Sequence, residues 1–369
     1  MKFTCDKNEL GSAITKAARC CAQKSANPAL EGLLIEAGNK VTVTGYDLRR
    51  GIYASIDADI PEPGSIVLNT RLFSEIVRRL PDGEISVTTN KDFTTVINCG
   101  KSEFRITGLD PEDYPLLPDV DCRNNLSLPQ GTLRDMINQT SFALSDNEAR
   151  PVYTGALFDI ENDELTMVGC DGYRLSLRKE PLERCDMEKG SFIVTGYALS
   201  DAEKICLDET EPVVIHVGEK HVSFTAGETV LISRRIDGEY LNYKRSIPDD
   251  NPITIKIKRT ELARVVDRVA LVILDKMKSP LRFRFDDGSI NIMCSTAAGL
   301  AYDTCFCDGD GGGLEIGFNN RYMLEALRSA PADELLLCLK NGFSPCVIKD
   351  AAGGDSFKYM ILPIRLKAD

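Results

Sequence analysis

Long apolar runs are missing from this chain: none approaches the ~20 consecutive apolar residues that a membrane-spanning helix needs. The opening Met-Lys-Phe-Thr-Cys-Asp lacks the basic-then-apolar order of a secretion signal, so a cytoplasmic location is expected. Catalytic signatures are equally scarce. There is no G-x-x-x-x-G-K phosphate loop, no G-x-S-x-G nucleophile turn and no H-E-x-x-H helix. Histidine is nearly absent, with 2 in 369 residues. These two, His216 and His221, bracket Val-Gly-Glu-Lys with no carboxylate or cysteine cluster near them in sequence, and read as a surface hairpin. No C-x-x-C spacing occurs, and Asp303, Asp308 and Asp310 lack the ligand order of a calcium loop. The run Gly309-Asp310-Gly311-Gly312-Gly313 lacks the order of a dinucleotide fingerprint and is expected to be a flexible loop between strands. The expectation is a protein with no catalytic activity, no cofactor and no metal.

An excess of positive charge is also lacking. Lys and Arg number 44 against 56 Asp and Glu, a net charge of -12. That balance disfavours a nucleic-acid partner only if the charge is evenly spread, because a phosphate backbone responds to local potential.

What the chain does have is cysteine, 13 residues scattered from Cys5 to Cys346. Without a secretion signal they are most simply reduced core thiols. The 43% hydrophobic and 27% charged content is that of a soluble globular protein, long enough for two or three domains.

The chain also repeats itself. Leu133, Met136, Ile137, Thr140, Ser141 and Leu144 form the i, i+3, i+4, i+7, i+8, i+11 stripe of an amphipathic helix. Leu10, Ala13, Ile14, Ala17, Ala18 and Cys21 repeat it, as do Leu262, Val265, Val266, Val269, Ala270 and Ile273. Each lead helix follows an extended segment, clearest where Ile253, Ile255 and Ile257 alternate with Thr254 and Lys256. Paired strands with polar turns come next, then second helices near 70–80, 197–207 and 321–329 with Asn69, Thr195 and Asn319 as N-caps, then three more strands. The spacing predicts an α+β chain of three repeated domains, 1–124, 125–249 and 250–369, each with two helices on antiparallel sheets.

Off the apolar stripes, the lead helices carry Lys16 and Arg19 in the first copy, with Lys24 beyond, and Arg259, Arg264 and Arg268 in the third, with Lys276 and Lys278 beyond. The middle copy is weaker: Asp135 offsets Arg134, although Arg150 and Tyr153 lie in the following loop. A solvated helix face explains any one copy; recurrence at equivalent positions raises the nucleic-acid reading. Asp171-Gly172 ahead of Tyr173-Arg174-Leu175 reads as a turn entering a strand, and the apolar Tyr359 to Leu366 tail as a docked terminus.

Several stretches resemble the bacterial sliding clamps, the β subunits of the DNA polymerase III holoenzyme. They are Met1-Lys2-Phe3-Thr4, Thr44-Gly45-Tyr46-Asp47-Leu48, Asp171 to Leu175, Ile236-Asp237-Gly238, Ile316-Gly317-Phe318-Asn319 with Tyr322, and Leu362-Pro363-Ile364-Arg365-Leu366. The resemblance implies the DNA clamp fold, a head-to-tail homodimer ring around duplex DNA, and a processivity factor that tethers polymerases. It further implies partnership with a clamp loader and with other polymerases and repair proteins bearing clamp-binding peptides. Lys24, Arg150 and Tyr153 would join Lys16, Arg19, Arg264 and Arg268 beside DNA. The peptide pocket would comprise Cys170, Gly172, Tyr173, Arg174, Leu175, Leu241, Arg245, Asn319, Tyr322, Phe343, Leu362, Pro363, Ile364 and Arg365, with Leu175, Leu362 and Ile364 as walls and Arg174 and Arg365 as polar rim. Phe104 and Ile106 would meet Val272 and Ile273 of a second copy. Leu241 stands where a proline is common and Tyr173 where a histidine is common, so peptide preference differs accordingly. The acidic run of some relatives is here Ala297 to Asp303. A protein-only repeat scaffold is the alternative.

Overall fold

The computed structural model describes residues 1–121, 123–273 and 279–366; Lys276, Lys278 and Cys122 lie outside the described residues. The first third runs β1 (Lys2–Asp6), α1 (Lys7–Ala17), β2 (Gly32–Ala37), β3 (Val41–Tyr46), β4 (Arg50–Ile56), β5 (Asp59–Glu62), β6 (Gly64–Asn69), α2 (Thr70–Arg79), β7 (Glu84–Thr89), β8 (Thr94–Cys99) and β9 (Ser102–Thr107). The second runs β10 (Asn125–Pro129), α3 (Gln130–Thr140), β11 (Gly155–Glu161), β12 (Glu164–Cys170), β13 (Arg174–Pro181), β14 (Arg184–Cys185), β15 (Lys189–Thr195), α4 (Gly196–Ile205), β16 (Pro212–Val217), β17 (His221–Ala226), β18 (Thr229–Ile236) and α5 (Tyr243–Ser246). The third runs β19 (Ile253–Lys258), α6 (Arg259–Val269), β20 (Leu281–Asp286), β21 (Ser289–Thr296), β22 (Gly299–Phe306), β23 (Leu314–Phe318), α7 (Asn320–Ser329), β24 (Glu334–Leu339), β25 (Cys346–Asp350) and β26 (Phe357–Ile361).

The threefold stripe sets the helices. Leu10, Ala13, Ile14 and Ala17 are buried, as are Leu133, Met136, Ile137 and Thr140, and Leu262, Val265, Val266 and Val269. The last two stripe positions of each copy are only partly buried, because each lead helix tightens into a 3-10 turn: Ala18–Cys20, Ser141–Ala143 and Ala270–Val272. Thr140 tolerates burial because its hydroxyl donates to the Met136 carbonyl at 2.7 Å. Asp6 caps α1, accepting from the amides of Asn8 and Glu9; Asn69 and Asn319 cap α2 and α7 as their sequences require.

Each predicted strand pair belongs to a four-stranded antiparallel sheet, ordered β4-β3-β2-β6, β13-β12-β11-β15 and β22-β21-β20-β23. The remaining strands form β5-β1-β7-β8-β9, β14-β10-β16-β17-β18 and β19-β24-β25-β26. By contacts the chain divides into two units: Met1–Arg134 with Glu183–Met187 and Tyr197–Arg235, and Asp135–Leu182 with Glu188–Gly196 and Ile236–Asp369. Within the first unit β18 pairs with β4; within the second β26 pairs with β13. Among the described residues β9 and β22 pair on one side only and are sheet edges.

Cores lie between helices and sheets. Phe3, Leu10, Ile14, Phe73 and Val87 belong to one, and Leu262, Val266, Phe283, Phe318 and Leu327 to another; each fully buried side chain of this size contributes about 1.5–3 kcal/mol. The twelve described cysteines are free thiols, nine of them buried.

The Gly309 to Gly313 segment does lie between β22 and β23, but it is packed, not loose. A Cβ on Gly311 would sit 2.3 Å from Phe285 Cβ, and Gly309, Gly312 and Gly313 hold φ of +122°, +60° and +76°. The Gly313 amide donates to the Phe285 carbonyl at 2.9 Å; close approach demands glycine at Gly309 and Gly311, and the left-handed backbone favours it at Gly312 and Gly313. The C-terminal tail is docked: the Leu362 amide donates to the Tyr173 carbonyl at 2.9 Å and the Ile364 amide to the Gly317 carbonyl at 2.8 Å.

Candidate partner pocket, basic helices and sheet edges

The Asp-Gly turn at 171–174 is built by its own side chain. Asp171 Oδ1 accepts from the amides of Tyr173 and Arg174 at 2.8 and 3.0 Å, and Gly172 takes φ +90°, which favours glycine. The turn leaves Tyr173 63% exposed and starts β13 at Arg174, from which Leu175 points inward.

An apolar cluster lies behind the turn. Leu175, Val347 and Met360 are buried in it, with Leu241, Leu362, Tyr240 and Val152 packed around them and partly exposed. Val152, Tyr240 and Val347 are missed by the sequence reading, although Val152 adjoins Tyr153 and Tyr240 adjoins Leu241; Met360 lies in the apolar tail. Tyr240 is fixed by donation to the Val168 carbonyl at 3.2 Å, and Tyr153 packs edge-on against it at 5.4 Å. Asn319, Tyr322, Pro363 and Ile364 are half-buried, whereas Gly172, Arg245, Phe343 and Arg365 are exposed.

Arg174 corrects the sequence reading. Expected on the polar rim, it is 4% exposed. Its guanidinium donates to Asp171 at 3.0 Å, to Glu325 and to the Phe142 carbonyl, and lies over the Tyr322 ring at 4.3 Å. Burial opposes ionisation of Glu325, but Arg321 and Arg174 outweigh it and hold its carboxyl below the usual range. Burial pushes the Cys170 thiol up, so it acts as an apolar group. Leu175, 1% exposed, is the floor behind Leu362 and not an open wall.

The basic residues separate into two sets. Lys24, Arg150 and Arg264 are exposed, with no hydrogen-bond acceptor for their side chains among the described residues. The others are engaged. Lys16 Nζ donates to Thr229 Oγ1 at 3.2 Å, Arg19 Nε to Asp201 at 2.8 Å, and Arg268 Nε to Asp303 at 2.7 Å. Arg134 is bonded to Glu209, not balanced by its neighbour Asp135.

The two sheet edges expose apolar side chains. Phe104 on β9 is 41% exposed; Leu300, Tyr302 and Phe306 on β22 are 66%, 64% and 82% exposed. Ile106, Val272 and Ile273 are half-buried. Leu300 and Tyr302 belong to the Ala297 to Asp303 run that the resemblance sets near the seam; Phe306, two alternations further along the strand, is the residue that sequence reading missed.

Three α+β repeats, each with two main helices on antiparallel sheets, have the architecture of a DNA clamp. The chain belongs to the DNA polymerase III beta subunit family: its N-terminal, central and C-terminal domain sequences match residues 1–118, 127–242 and 244–365. It is 31% identical over 376 aligned residues to the beta sliding clamp of Staphylococcus aureus, covering 99% of both chains. Among solved structures, the DNA polymerase sliding clamp of Bacillus subtilis has a TM-score of 0.95 at 30% identity, covering 100% of both chains. A putative DNA polymerase III beta subunit from Eubacterium rectale has 0.94 at 33% identity, covering 99% of this chain and 100% of that one. Membership in this family makes the chain a DNA polymerase processivity factor and does not favour the protein-only scaffold.

Proposed function

We propose that the chain acts without catalysis, as a head-to-tail homodimer that closes a six-domain ring around duplex DNA in the cytoplasm. Each chain would contribute the domains 1–124, 125–249 and 250–369. The full-length match to the sliding clamps carries this reading, and the two apolar sheet edges support it. Edge strands with exposed Phe, Leu and Tyr invite pairing, and β9 of one copy against β22 of another satisfies both edges. Phe104 and Ile106 would then meet Val272 and Ile273 across each seam.

A closed ring holds DNA by topology, so its phosphate contacts stay weak and permit sliding. Lys24, Arg150 and Arg264 are the groups best able to make them; Lys16, Arg19 and Arg268 would first have to exchange their present partners, and Tyr153 would assist from the same loop as Arg150. The pocket at Tyr173 would take short apolar peptides from the polymerase catalytic subunit, the clamp loader, other polymerases and repair proteins. Leu241, Leu362 and Ile364 offer the apolar contact, Arg245 and Arg365 the rim, and Phe343 an exposed edge.

The test is retention on nicked circular DNA with a clamp loader supplied. The chain should remain on the circle and be released when the DNA is cut. A DNA binder that does not encircle stays on the linear form, and a protein scaffold is never retained.

A further inference from the structure

Two turns 124 residues apart are built alike. At the pocket, the Asp171 amide donates to the Arg174 carbonyl at 3.3 Å, and the Arg174 side chain reaches Asp171, the Phe142 carbonyl and Glu325, the sixth residue of α7. Within the first unit, the Asp47 amide donates to the Arg50 carbonyl at 3.1 Å. The Arg50 side chain reaches Asp47, the Arg19 carbonyl and Asp201, the sixth residue of α4. The strand that joins each turn also matches: the Leu362 amide donates to the Tyr173 carbonyl at 2.9 Å, and the Arg234 amide to the Arg49 carbonyl at 2.9 Å.

The frame is kept; the side chains it presents are not. Tyr173 is replaced by Arg49, and Leu362 by Arg234, so an apolar pair becomes an arginine pair on adjacent strands. Both arginines are exposed, with no carboxylate partner among the described residues, in a chain of net charge -12. Asp47 and Asp201 do not neutralise them, because Arg50 and Arg19 take up those carboxylates.

Leu48 stands where the other turn has Gly172. It holds φ +70° and is 58% exposed, a conformation unfavourable for a non-glycine residue and here without burial to offset it. Tyr197, 69% exposed, lies beside the same turn, its carbonyl bonded to Arg50 and its ring 5.4 Å from that guanidinium.

We propose that this turn is a second docking surface, taking an acidic peptide segment of a partner protein. Carboxylates would meet Arg49 and Arg234, and an apolar side chain would lie on Leu48 and Tyr197. Nucleic acid is the poorer fit, since the Arg50 guanidinium already lies over one face of the Tyr197 ring and the exposed Leu48 offers no flat face on which a base could stack. The proposal stands on this turn alone and holds whether or not the Tyr173 pocket takes peptides.

The test uses the full chain with 13C-labelled leucine methyls, titrated with the synthetic peptide Asp-Glu-Asp-Leu-Phe-Asp-Glu, with its Lys/Arg counterpart, and with a 20-nucleotide oligo-dT. The acidic peptide should shift the Leu48 methyls saturably, and the Arg49→Glu/Arg234→Glu variant should weaken it by about tenfold or more. Leu48→Ser, read by fluorescence anisotropy of the labelled peptide, should weaken it as well and serves if the double variant misfolds. The proposal is overturned if Leu48 does not move, if only the Leu362 methyls move, if the basic peptide binds as tightly, or if oligo-dT binds there more tightly than the peptide.

Discussion

Arg174 shows how burial changes what a residue is for. With three acceptors and an aromatic face around it and only 4% of its surface exposed, it is closed off from a peptide and acts on the pocket by joining α7 to the turn that carries Tyr173. Arg174→Ala leaves the Asp171 carboxylate without its cation and Glu325 with Arg321 alone, and chemical denaturation should show a loss of about 3 kcal/mol. Glu161 gives a pH test. Lys189 and Lys244 bond its carboxylate and lower its pKa from 4.5 to about 2. Because the folded value is the lower one, its contribution is complete above pH ~4.5 and is lost as pH falls toward 2. The stability difference between the native chain and Glu161→Gln, followed by acid titration of urea melts, should therefore shrink to nothing across that window.

Lead helices and meanders depend on close backbone approach at one point in each of the first two copies. A Cβ on Gly45 would lie 2.0 Å from the Ala17 carbonyl oxygen, and one on Gly169 would lie 2.5 Å from that of Thr140. Gly45→Ala must push the end of α1 off β3, and should cost at least about 4 kcal/mol or abolish soluble expression, measured by thermal melting. These elements were legible in the sequence because their stripes and strand alternation are local. The packing of Gly309 to Gly313 was not, since a glycine run looks the same whether it is loose or pressed against Phe285. Arg174 was misread for the same reason: Glu325 and Phe142, which bury it, are 151 and 32 residues away.

The proposed ring needs two copies joined edge to edge, and the exposed edges make that testable. Phe306→Asp with Leu300→Asp should place charge on the β22 edge without disturbing a core, since both side chains are exposed. Sedimentation should then show a dimer becoming a monomer whose melting curve is little changed; a dimer that persists at micromolar concentration would move the seam elsewhere.

By itself the sequence determined the threefold repeat, the capped helices and the family, because periodicity, caps and turn residues act over a few positions and recur. Tertiary structure decided which charges are available. It committed Lys16, Arg19 and Arg268 to partners, drew Arg174 inside, and left Arg49 and Arg234 outside on the same backbone frame that presents Tyr173 and Leu362. A guanidinium finds its carboxylate across long stretches of chain, and only the folded arrangement of sheets and helices sets which ones meet.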